Sequence, residues 1–373
     1  MPPGKRPSWP SADRRHSPTD RDGSVPENAV GVVFTMARPE GAEAVGSDQP
    51  RNTRRPRPMT PKRFMPAILV AGLFAACTGA ASPSPAAPST GPSASPESAA
   101  PSPSPSPTPV ATVPSNQLIF AGKLVICSDI PYPPQEFFDA QGNATGSDID
   151  IGFEIAKRLG LQAEVENAVF DTIIAAVTGG KCDIIISAQN INADRVKQVD
   201  MIPYFEAGQS FMVAKGNPKA INALDDLCGK SIGAESGTTE AFYVKGSDQY
   251  KGDGLTKECA DKGKPAPSLK EYQKDSDTVL ALQSGAIDAY FGDTPVVVNY
   301  ATSKPDQFEV SSVPPLTGIK EGISVPKDKM GLRDAVVAAL KSMIDDGTYN
   351  TILKKYNVDT GALKSSDVVP VTK

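Results

Sequence analysis

Hydrophobic and polar positions in the middle of the chain follow two periods in turn, and this pattern predicts alternating strands and helices. Residues 123–128, KLVICS, form a short apolar run that is typical of a buried strand. Residues 148–160, DIDIGFEIAKRLG, have helical periodicity and end at a glycine. The next segments predict a strand, a short helix and a buried strand: QAEVEN (162–167), FDTIIAAVTGG (170–180) and CDIIIS (182–187). This β-α-β-α-β order favours a parallel sheet with right-handed crossovers.

A second run of the same kind follows. It predicts helix, strand, helix, helix, strand and helix, in the segments INALDDLCG (221–229), KSIGAE (230–235), TTEAFYVKG (238–246), SDTVLALQSG (276–285), AIDAYFG (286–292) and TPVVVNYAT (294–302). Residues 331–358 then predict two helices that join near Asp346 and Gly347. We therefore expect an α/β protein with two lobes rather than one sheet, and C-terminal helices that are free to return to the first lobe.

The N-terminal part of the chain lacks this periodicity. Residues 1–58 are rich in Pro, Arg and Ser, which is typical of a disordered segment or of an upstream stretch that is not translated. Residues 59–76 combine two basic residues, an apolar run and small residues before Cys77, as a secretory signal does. The apolar run is shorter than the roughly 20 residues that span a bilayer. Residues 77–116, rich in Ser, Pro and Ala, predict a semi-extended tether.

The end of the signal, Phe-Ala-Ala-Cys, resembles a bacterial lipobox. The resemblance implies that Cys77 becomes the lipidated first residue of the mature protein and anchors it to the outer face of the cell membrane. Phe74 departs from the aliphatic residue that is usual at its position. An ordinary cleaved signal peptide with an incidental cysteine is the alternative.

Charge and composition exclude several classes of function. The chain has 38 Lys and Arg against 43 Asp and Glu; 12 of the basic and 7 of the acidic residues precede Cys77, which leaves 26 against 36. An acidic protein without a basic run is a poor candidate for nucleic-acid binding. The one histidine, His16, also precedes Cys77, so histidine triads, bases and metal sites are excluded from the rest of the chain. We expect no enzyme activity, no cofactor and no metal.

Cysteine usage fits an oxidising compartment. Cys228 and Cys259 flank one short segment and predict a disulfide. Cys127 ends one predicted strand and Cys182 begins another. Parallel neighbouring strands would place these two cysteines at opposite ends, farther apart than the ~5.5 Å between Cα atoms that a disulfide needs. We expect both to be free and buried.

One stretch, DIIISAQNINADR (183–195), ends a buried strand in a polar run and then supplies Arg195. Ligands in open α/β sheets bind outside the carboxyl ends of the strands, so this edge is a candidate for gripping a ligand. The alternative is a solvated loop that only caps the following helix.

Five segments, taken in order, resemble solute-binding protein family 3, the extracytoplasmic binding proteins of polar amino-acid ABC importers. They are residues 128–160, residues 182–205, GKSIGAESGTTEAF (229–242), LQSGAIDAYFGDTPV (282–296) and DGTYNTILKKYNV (346–358). The resemblance covers residues 120–358. It implies a type II periplasmic-binding-protein-like fold, in which two lobes, each a mostly parallel sheet flanked by helices, are joined by two hinge strands. Lobe 1 is then residues 117–207 plus 320–373, and lobe 2 is residues 208–319.

The same resemblance implies a ligand-binding set. A buried amino acid needs a partner for each of its charges. Arg195 would bind the carboxylate together with Thr239, Asp293 would bind the ammonium, and an aromatic pair would enclose the side chain. The full set is Asp129, Tyr132, Phe170, Ser187, Ala188, Gln189, Asn190, Arg195, Thr238, Thr239 and Asp293.

Each of these roles has a structural alternative. Arg195 could instead form a surface ion pair with Asp194 or Asp200, and the threonines and Asp293 could simply cap helices. Tyr132 and Phe170 could be core residues. Family members often carry serine where Asn190 stands, which leaves the ammonium contact there open.

The resemblance predicts that a monomer captures a free polar amino acid and delivers it to an ABC transporter permease and its ATPase. The substrate stays open at this stage. Asp129 and Glu136 could receive a cationic side chain, which would favour arginine, lysine or ornithine, or they could be structural, which would allow a glutamine-type ligand. A ligand-binding sensor is the alternative function, and an enzyme of the same fold is a weaker one.

Overall fold

The structure is a computed structural model that describes residues 108–246 and 254–373. The expectations for residues 1–58, for the signal segment 59–76, for lipid on Cys77 and for most of the tether lie outside the described residues. Within the described ranges, no helix is both long enough and apolar enough to cross a membrane.

Strands and helices alternate along most of the described chain. The strands are β1 Lys123–Ser128, β2 Phe137–Phe138, β3 Ala144–Thr145, β4 Gln162–Asn167, β5 Ile184–Ile185, β6 Val199–Ala214, β7 Ser231–Glu235, β8 Ser268–Tyr272, β9 Ala289–Asp293, β10 Phe308–Val310 and β11 Leu316–Pro326. The helices are α1 Ser147–Arg158, α2 Ile173–Thr178, α3 Ala193–Gln198, α4 Thr239–Lys245, α5 Gly254–Asp261, α6 Asp275–Ser284, α7 Thr294–Ser303, α8 Met330–Asp345 and α9 Thr348–Lys355.

Each lobe contains a parallel three-stranded arrangement, as expected. In lobe 1, β1 pairs in parallel with β4 and β5, and in lobe 2, β7 pairs in parallel with β8 and β9. The segments that follow β1 and β5 in lobe 1, and β7 and β9 in lobe 2, meet at one cavity between the lobes. This arrangement brings polar residues at the carboxyl ends of strands from both lobes together.

Two long strands join the lobes. β6 spans 16 residues and β11 spans 11, and they run antiparallel to each other between β5 of lobe 1 and β9 of lobe 2. Their register shifts twice, once between Leu316 and Ile319 and once between Glu321 and Gly322. Bulges of this kind bend a strand locally. The two-lobed α/β fold with two hinge strands is therefore confirmed. The expectation of separate sheets is wrong, because the hinge strands link the strands of both lobes into one nine-stranded sheet.

The hydrophobic core is divided in the same way. Lobe 1 encloses residues such as Ile126, Ile155 and Tyr204, which pack against Val336 of α8 and Tyr349 of α9. The C-terminal helices thus return to lobe 1. Lobe 2 has separate buried clusters on the two faces of its sheet, around the stacked rings of Phe211 and Phe291 and around Met212, Tyr290 and Val296.

The folded part begins inside the segment predicted to be a tether. The Val110 N–H donates to the carbonyl oxygen of Arg158 (2.9 Å), and the Val113 side chain is buried in the lobe 1 core. The tether prediction is therefore wrong for the last few residues of 77–116. Val113, with Ala111 packed beside it, supplies the apolar surface that this contact needs in an otherwise Pro- and Ser-rich stretch.

The prediction that Cys127 and Cys182 are free is wrong. The two residues form a disulfide with 5.7 Å between their Cα atoms, and a second disulfide joins Cys228 to Cys259. The prediction assumed that the strand starts at Cys182, whereas β5 contains only Ile184 and Ile185. Cys182 lies in the irregular segment before β5, where the backbone is free to approach Cys127.

The lobe 1 disulfide gives a first prediction. Its cysteines are 55 residues apart, so replacing Cys127 and Cys182 together with alanine should lower the free energy of unfolding by about 2–4 kcal/mol in guanidinium titrations. Alkylation of the denatured, unreduced protein should leave both cysteines unlabelled in peptide maps. Labelling of both would contradict the pairing.

Candidate ligand-binding site

A small, largely closed cavity lies between the lobes, and both contribute to its wall. Lobe 1 supplies residues that follow β1 and β5, together with Phe170 and Arg195; lobe 2 supplies the end of β7, the start of α4 and the end of β9. The lining residues are Asp129, Tyr132, Glu136, Phe170, Ser187, Ala188, Asn190, Arg195, Glu235, Thr238, Thr239, Glu240 and Asp293.

The structure brings together all but one of the residues predicted from the sequence. Gln189 is the exception. Its side-chain oxygen accepts a hydrogen bond from the Ser324 hydroxyl of β11, and its backbone oxygen accepts one from the Gly322 N–H (2.9 Å). Gln189 therefore does not line the cavity, and its side chain fastens the strand end to the hinge. Its ligand contact stays a prediction.

Arg195 is the buried cation of the site, with 6% of its surface exposed. It lies in α3, whose first turn is capped by the Asn192 side chain. The guanidinium donates to two carbonyl oxygens, those of Asn190 (2.6 Å) and, across the cleft, Gly237 (3.0 Å), and its carbon lies 5.1 Å from the centre of the Phe170 ring. Burial lowers the pKa of Arg195 to about 10, against the opposing effect of nearby carboxylates.

The surface ion pair proposed as an alternative for Arg195 does not form. Asp194 pairs with Lys197 at 2.5 Å. Asp200 pairs with Arg333 at 2.9 Å and with Lys327 at 3.2 Å. Arg195 hydrogen-bonds only to carbonyl oxygens among the described residues, so its charge remains available to an anion.

Asp293 faces Arg195 from the end of β9. It occupies the N-cap position of α7, but its side chain makes no capping hydrogen bond, so the capping alternative is wrong. One carboxylate oxygen accepts from the Tyr132 hydroxyl (3.0 Å), and the other accepts a longer hydrogen bond from Asn190 (3.4 Å). Burial, followed by the charges of Glu240 and Glu321, raises the pKa of Asp293 well above its ordinary value.

The two threonines divide the roles between them. Thr238 is the N-cap of α4: its hydroxyl oxygen accepts from the Ala241 N–H (3.3 Å) and its hydroxyl donates to the Glu235 carbonyl (2.7 Å). Thr239 is oriented toward lobe 1, where its hydroxyl oxygen accepts from Asn190 (2.8 Å). Capping is therefore observed for Thr238, whereas Thr239 takes part in the contact between lobes.

The aromatic residues form walls of different kinds. Phe170 lies over the Arg195 guanidinium. Tyr132 reaches across to lobe 2, where it packs against the cluster around Tyr290 and its hydroxyl accepts from the Asp293 N–H (3.0 Å). Tyr132 therefore connects the two lobes rather than belonging to the core of either one.

Three carboxyl groups line the cavity that were not in the predicted set. Glu136 was considered from the sequence, whereas Glu235 and Glu240 were missed. Glu235 is the last residue of a predicted strand, so the strand-end rule that was applied to residues 183–195 would also have found it. Each of the three has one carboxyl oxygen that is buried without a hydrogen-bond partner in the structure.

The cavity is consequently acidic. Its five carboxyl groups face the single arginine, with Lys274 at the edge pairing with Asp129. Burial raises the pKa of Glu136 and Glu240, and it raises that of Glu235 to about 10, with Asp129 and Asp275 adding to the effect. A buried carboxyl group keeps its charge only with a cation nearby, so the site favours positive charge.

Hydrogen bonds extend from the cavity to the hinge strands. The Tyr204 hydroxyl of β6 donates to Asp148 (2.5 Å) and lies 3.1 Å from a carboxyl oxygen of Glu321 on β11. Gln135 donates to the same oxygen of Glu321 at 2.6 Å. The Ser187 hydroxyl, at the cavity wall, donates to Glu136 at 2.8 Å.

Within the described residues, no group of three or more His, Cys, Asp or Glu has the arrangement of a metal site.

A two-lobed α/β fold, with hinge strands that join the lobes and a charged cleft between them, defines a class of small-molecule binding proteins. The sequence profile of the bacterial extracellular solute-binding proteins, family 3, matches residues 124–359. The chain belongs to this family.

Two curated relatives illustrate the similarity. ABC transporter arginine-binding protein 1 of Escherichia coli is 31% identical over 225 residues, which cover 59% of this chain and 85% of that protein. A probable histidine-binding protein of Neisseria gonorrhoeae is 26% identical over 242 residues, covering 63% and 83%.

Solved structures agree with the fold. An ancestral arginine-binding protein bound to arginine has 35% identity and a TM-score of 0.56, and covers 63% of this chain and 98% of its own. The structure bound to glutamine has 34% identity and a TM-score of 0.57, with 64% and 98% covered. An ancestral amino acid-binding protein, a precursor of cyclohexadienyl dehydratase, has 29% identity and a TM-score of 0.53, with 63% and 95% covered.

Asp275 gives a prediction on pH. It accepts hydrogen bonds from the hydroxyls of Tyr290 (2.6 Å) and Tyr300 (3.0 Å), and burial raises its pKa from 3.8 to about 7. The folded state therefore holds this proton to higher pH than the unfolded state does. The stability that Asp275 contributes should be complete below about pH 4 and be lost as the pH rises through 7.

The Asp275→Asn variant should accordingly lose less stability than the wild type between pH 4 and pH 8, by about 1–3 kcal/mol in denaturant titrations. The Asp277→Asn variant is the control, because Asp277 is exposed on the same helix. Equal slopes for the wild type and Asp275→Asn would show that Asp275 ionises normally.

Proposed function

We propose that this protein captures a free amino acid with a cationic side chain, with arginine as the best candidate, and delivers it to the permease of an ABC importer. The observation that carries the proposal is the pair formed by Arg195 and Asp293. One is a buried guanidinium without a carboxylate partner among the described residues, and the other is a buried carboxylate on the opposite lobe. Together they match the two charges of an amino acid.

The ligand carboxylate is assigned to Arg195. A guanidinium meets a carboxylate through two parallel hydrogen bonds, and the low exposure of Arg195 strengthens that contact. Thr239 lies at the start of α4 with its hydroxyl facing lobe 1, and we assign it to the same carboxylate. The ligand then replaces contacts that the two lobes otherwise make directly.

The ligand ammonium is assigned to Asp293. An ammonium supplies a positive charge to a carboxylate whose charged form is disfavoured by burial. The hydroxyl of Tyr132 and the amide of Asn190 hold the Asp293 carboxylate in place.

The excess of carboxyl groups supports a cationic side chain. After one carboxylate is assigned to the ammonium, the cavity still holds Asp129, Glu136, Glu235 and Glu240. An arginine or lysine tail would supply the charge that these groups lack, whereas a neutral amide would not. The names of the arginine-binding relatives point in the same direction, while the related structure with glutamine keeps a neutral ligand as the second candidate.

Delivery follows from the family rather than from the site. Residues of both lobes contact one cavity, so a bound ligand favours closure about the hinge strands, and a closed form is what a permease would recognise. We propose that lipid on Cys77 and the segment after it keep the protein near that permease and its ATPase. Members of the family are solute-binding proteins, and we propose no catalysis here.

Calorimetric titration of the purified, ligand-stripped protein against a panel of amino acids tests the proposal. Arginine should bind one-to-one, and Arg195→Ala should weaken it by at least about 100-fold, because the ligand carboxylate would then be buried without a cation. Lys197→Ala is the matched control, since Lys197 lies on the same helix with its side chain exposed. Unchanged affinity in Arg195→Ala would contradict the assigned carboxylate site.

A further inference from the structure

Lys274 forms an ion pair across the cleft that the proposed function leaves unexplained. It lies between β8 and α6 of lobe 2, and its ammonium contacts a carboxyl oxygen of Asp129, which follows β1 in lobe 1. The side chain of Asp129 is 5% exposed and that of Lys274 is 27% exposed. A lysine from one lobe thus holds a buried carboxylate of the other, and it does so from the solvent side.

The contact lies where carboxyl groups of the two lobes meet. The other oxygen of Asp129 accepts from the Phe170 N–H (2.6 Å), which fixes the carboxylate beside that aromatic wall. Glu235, at the end of β7, faces Asp129, and one of its carboxyl oxygens has no hydrogen-bond partner. Two carboxyl groups at close range repel each other unless a cation or a proton lies between them. Lys274 supplies a cation to Asp129 from within the protein, while burial and the neighbouring Asp129 raise the pKa of Glu235 to about 10.

The place that Lys274 occupies is also suited to the ligand's tail. A ligand held by Arg195 and Asp293 extends its side chain along the same cavity wall, which Asp129, Phe170 and Glu235 continue. A guanidinium offers a planar pair of donors that can serve two carboxylates, whereas an ammonium is a compact charge. Because the Lys274 side chain is partly exposed on a flexible stem, it can leave Asp129 for solvent at modest cost.

We propose that Lys274 is an internal competitor for the ligand's cationic tail: it pairs with Asp129 until a tail guanidinium or ammonium replaces it between Asp129 and Glu235. The inference rests on the proposed function and adds a determinant of specificity to it. A cationic ligand must displace Lys274, which lowers its affinity. A neutral ligand leaves Lys274 in place, so Asp129 keeps its ion-pair partner. Lys274 therefore lowers the ratio of the affinity for arginine to the affinity for a neutral amino acid of the same shape.

The test compares arginine with citrulline, which has the same length but an uncharged end, by calorimetry on the wild type and on Lys274→Met. Arginine should bind about tenfold more tightly to Lys274→Met, whereas citrulline should gain nothing, so the ratio of the two affinities rises about tenfold. Lys270→Met on β8 is the control, because Lys270 is exposed and does not line the cavity, and it should leave the ratio unchanged.

A second variant separates competition from a change in the overall charge of the site. In an Asp129→Asn background Lys274 has lost its partner, so adding Lys274→Met should leave arginine affinity unchanged. If the ratio of the arginine affinity to the citrulline affinity is the same in Lys274→Met as in the wild type, the inference is overturned. A wild-type protein that binds neither ligand would instead overturn the proposed function on which the inference rests.

Discussion

The site depends on one buried charge. Arg195 lies in the cleft with carbonyl oxygens as its partners, and desolvation of a guanidinium without a carboxylate is expensive. The residues around Arg195 offset part of this desolvation cost. Asn192 caps the short helix that contains Arg195, the Asn190 carbonyl oxygen accepts a hydrogen bond from the guanidinium, and the Phe170 ring covers one face of the guanidinium. A ligand carboxylate completes an arrangement that the protein alone leaves short of one negative charge.

The rest of the cleft has the opposite imbalance. Carboxyl groups outnumber cations around the cavity, and the hydrogen bonds of Tyr204 and Gln135 continue this acidic character to Glu321 on a hinge strand. Burial raises the pKa of Glu136 and Glu321, which disfavours their charged forms unless a cation lies nearby. At the edge of the cavity, Lys274 supplies a cation to one of these carboxyl groups, Asp129. The same acidic lining therefore bears on affinity, on specificity and on the contacts between the lobes.

Periodicity alone predicted the two α/β units. The strand-end rule led to Ser187 and Asn190, and the family resemblance led to Asp293. The sequence could not predict how far strands extend, because pairing partners that are distant in the chain decide this. Only two residues of the apolar run at 184–187 pair as a strand, and that error produced the wrong assignment of Cys182. The contact of the Gln189 side chain with Ser324 could not be predicted, because the proximity of β11 is not known before the fold. Glu235 could be recognised as the end of a predicted strand, but the sequence around a single glutamate does not show whether its side chain is buried.

The most direct test of this account is a crystal structure of the protein with L-arginine. The account predicts the ligand carboxylate within hydrogen-bond distance of the Arg195 guanidinium, the ammonium on Asp293, and the tail between Asp129 and Glu235 with Lys274 turned toward solvent. An arginine bound in the reverse direction, or a carboxylate that does not touch Arg195, would contradict it.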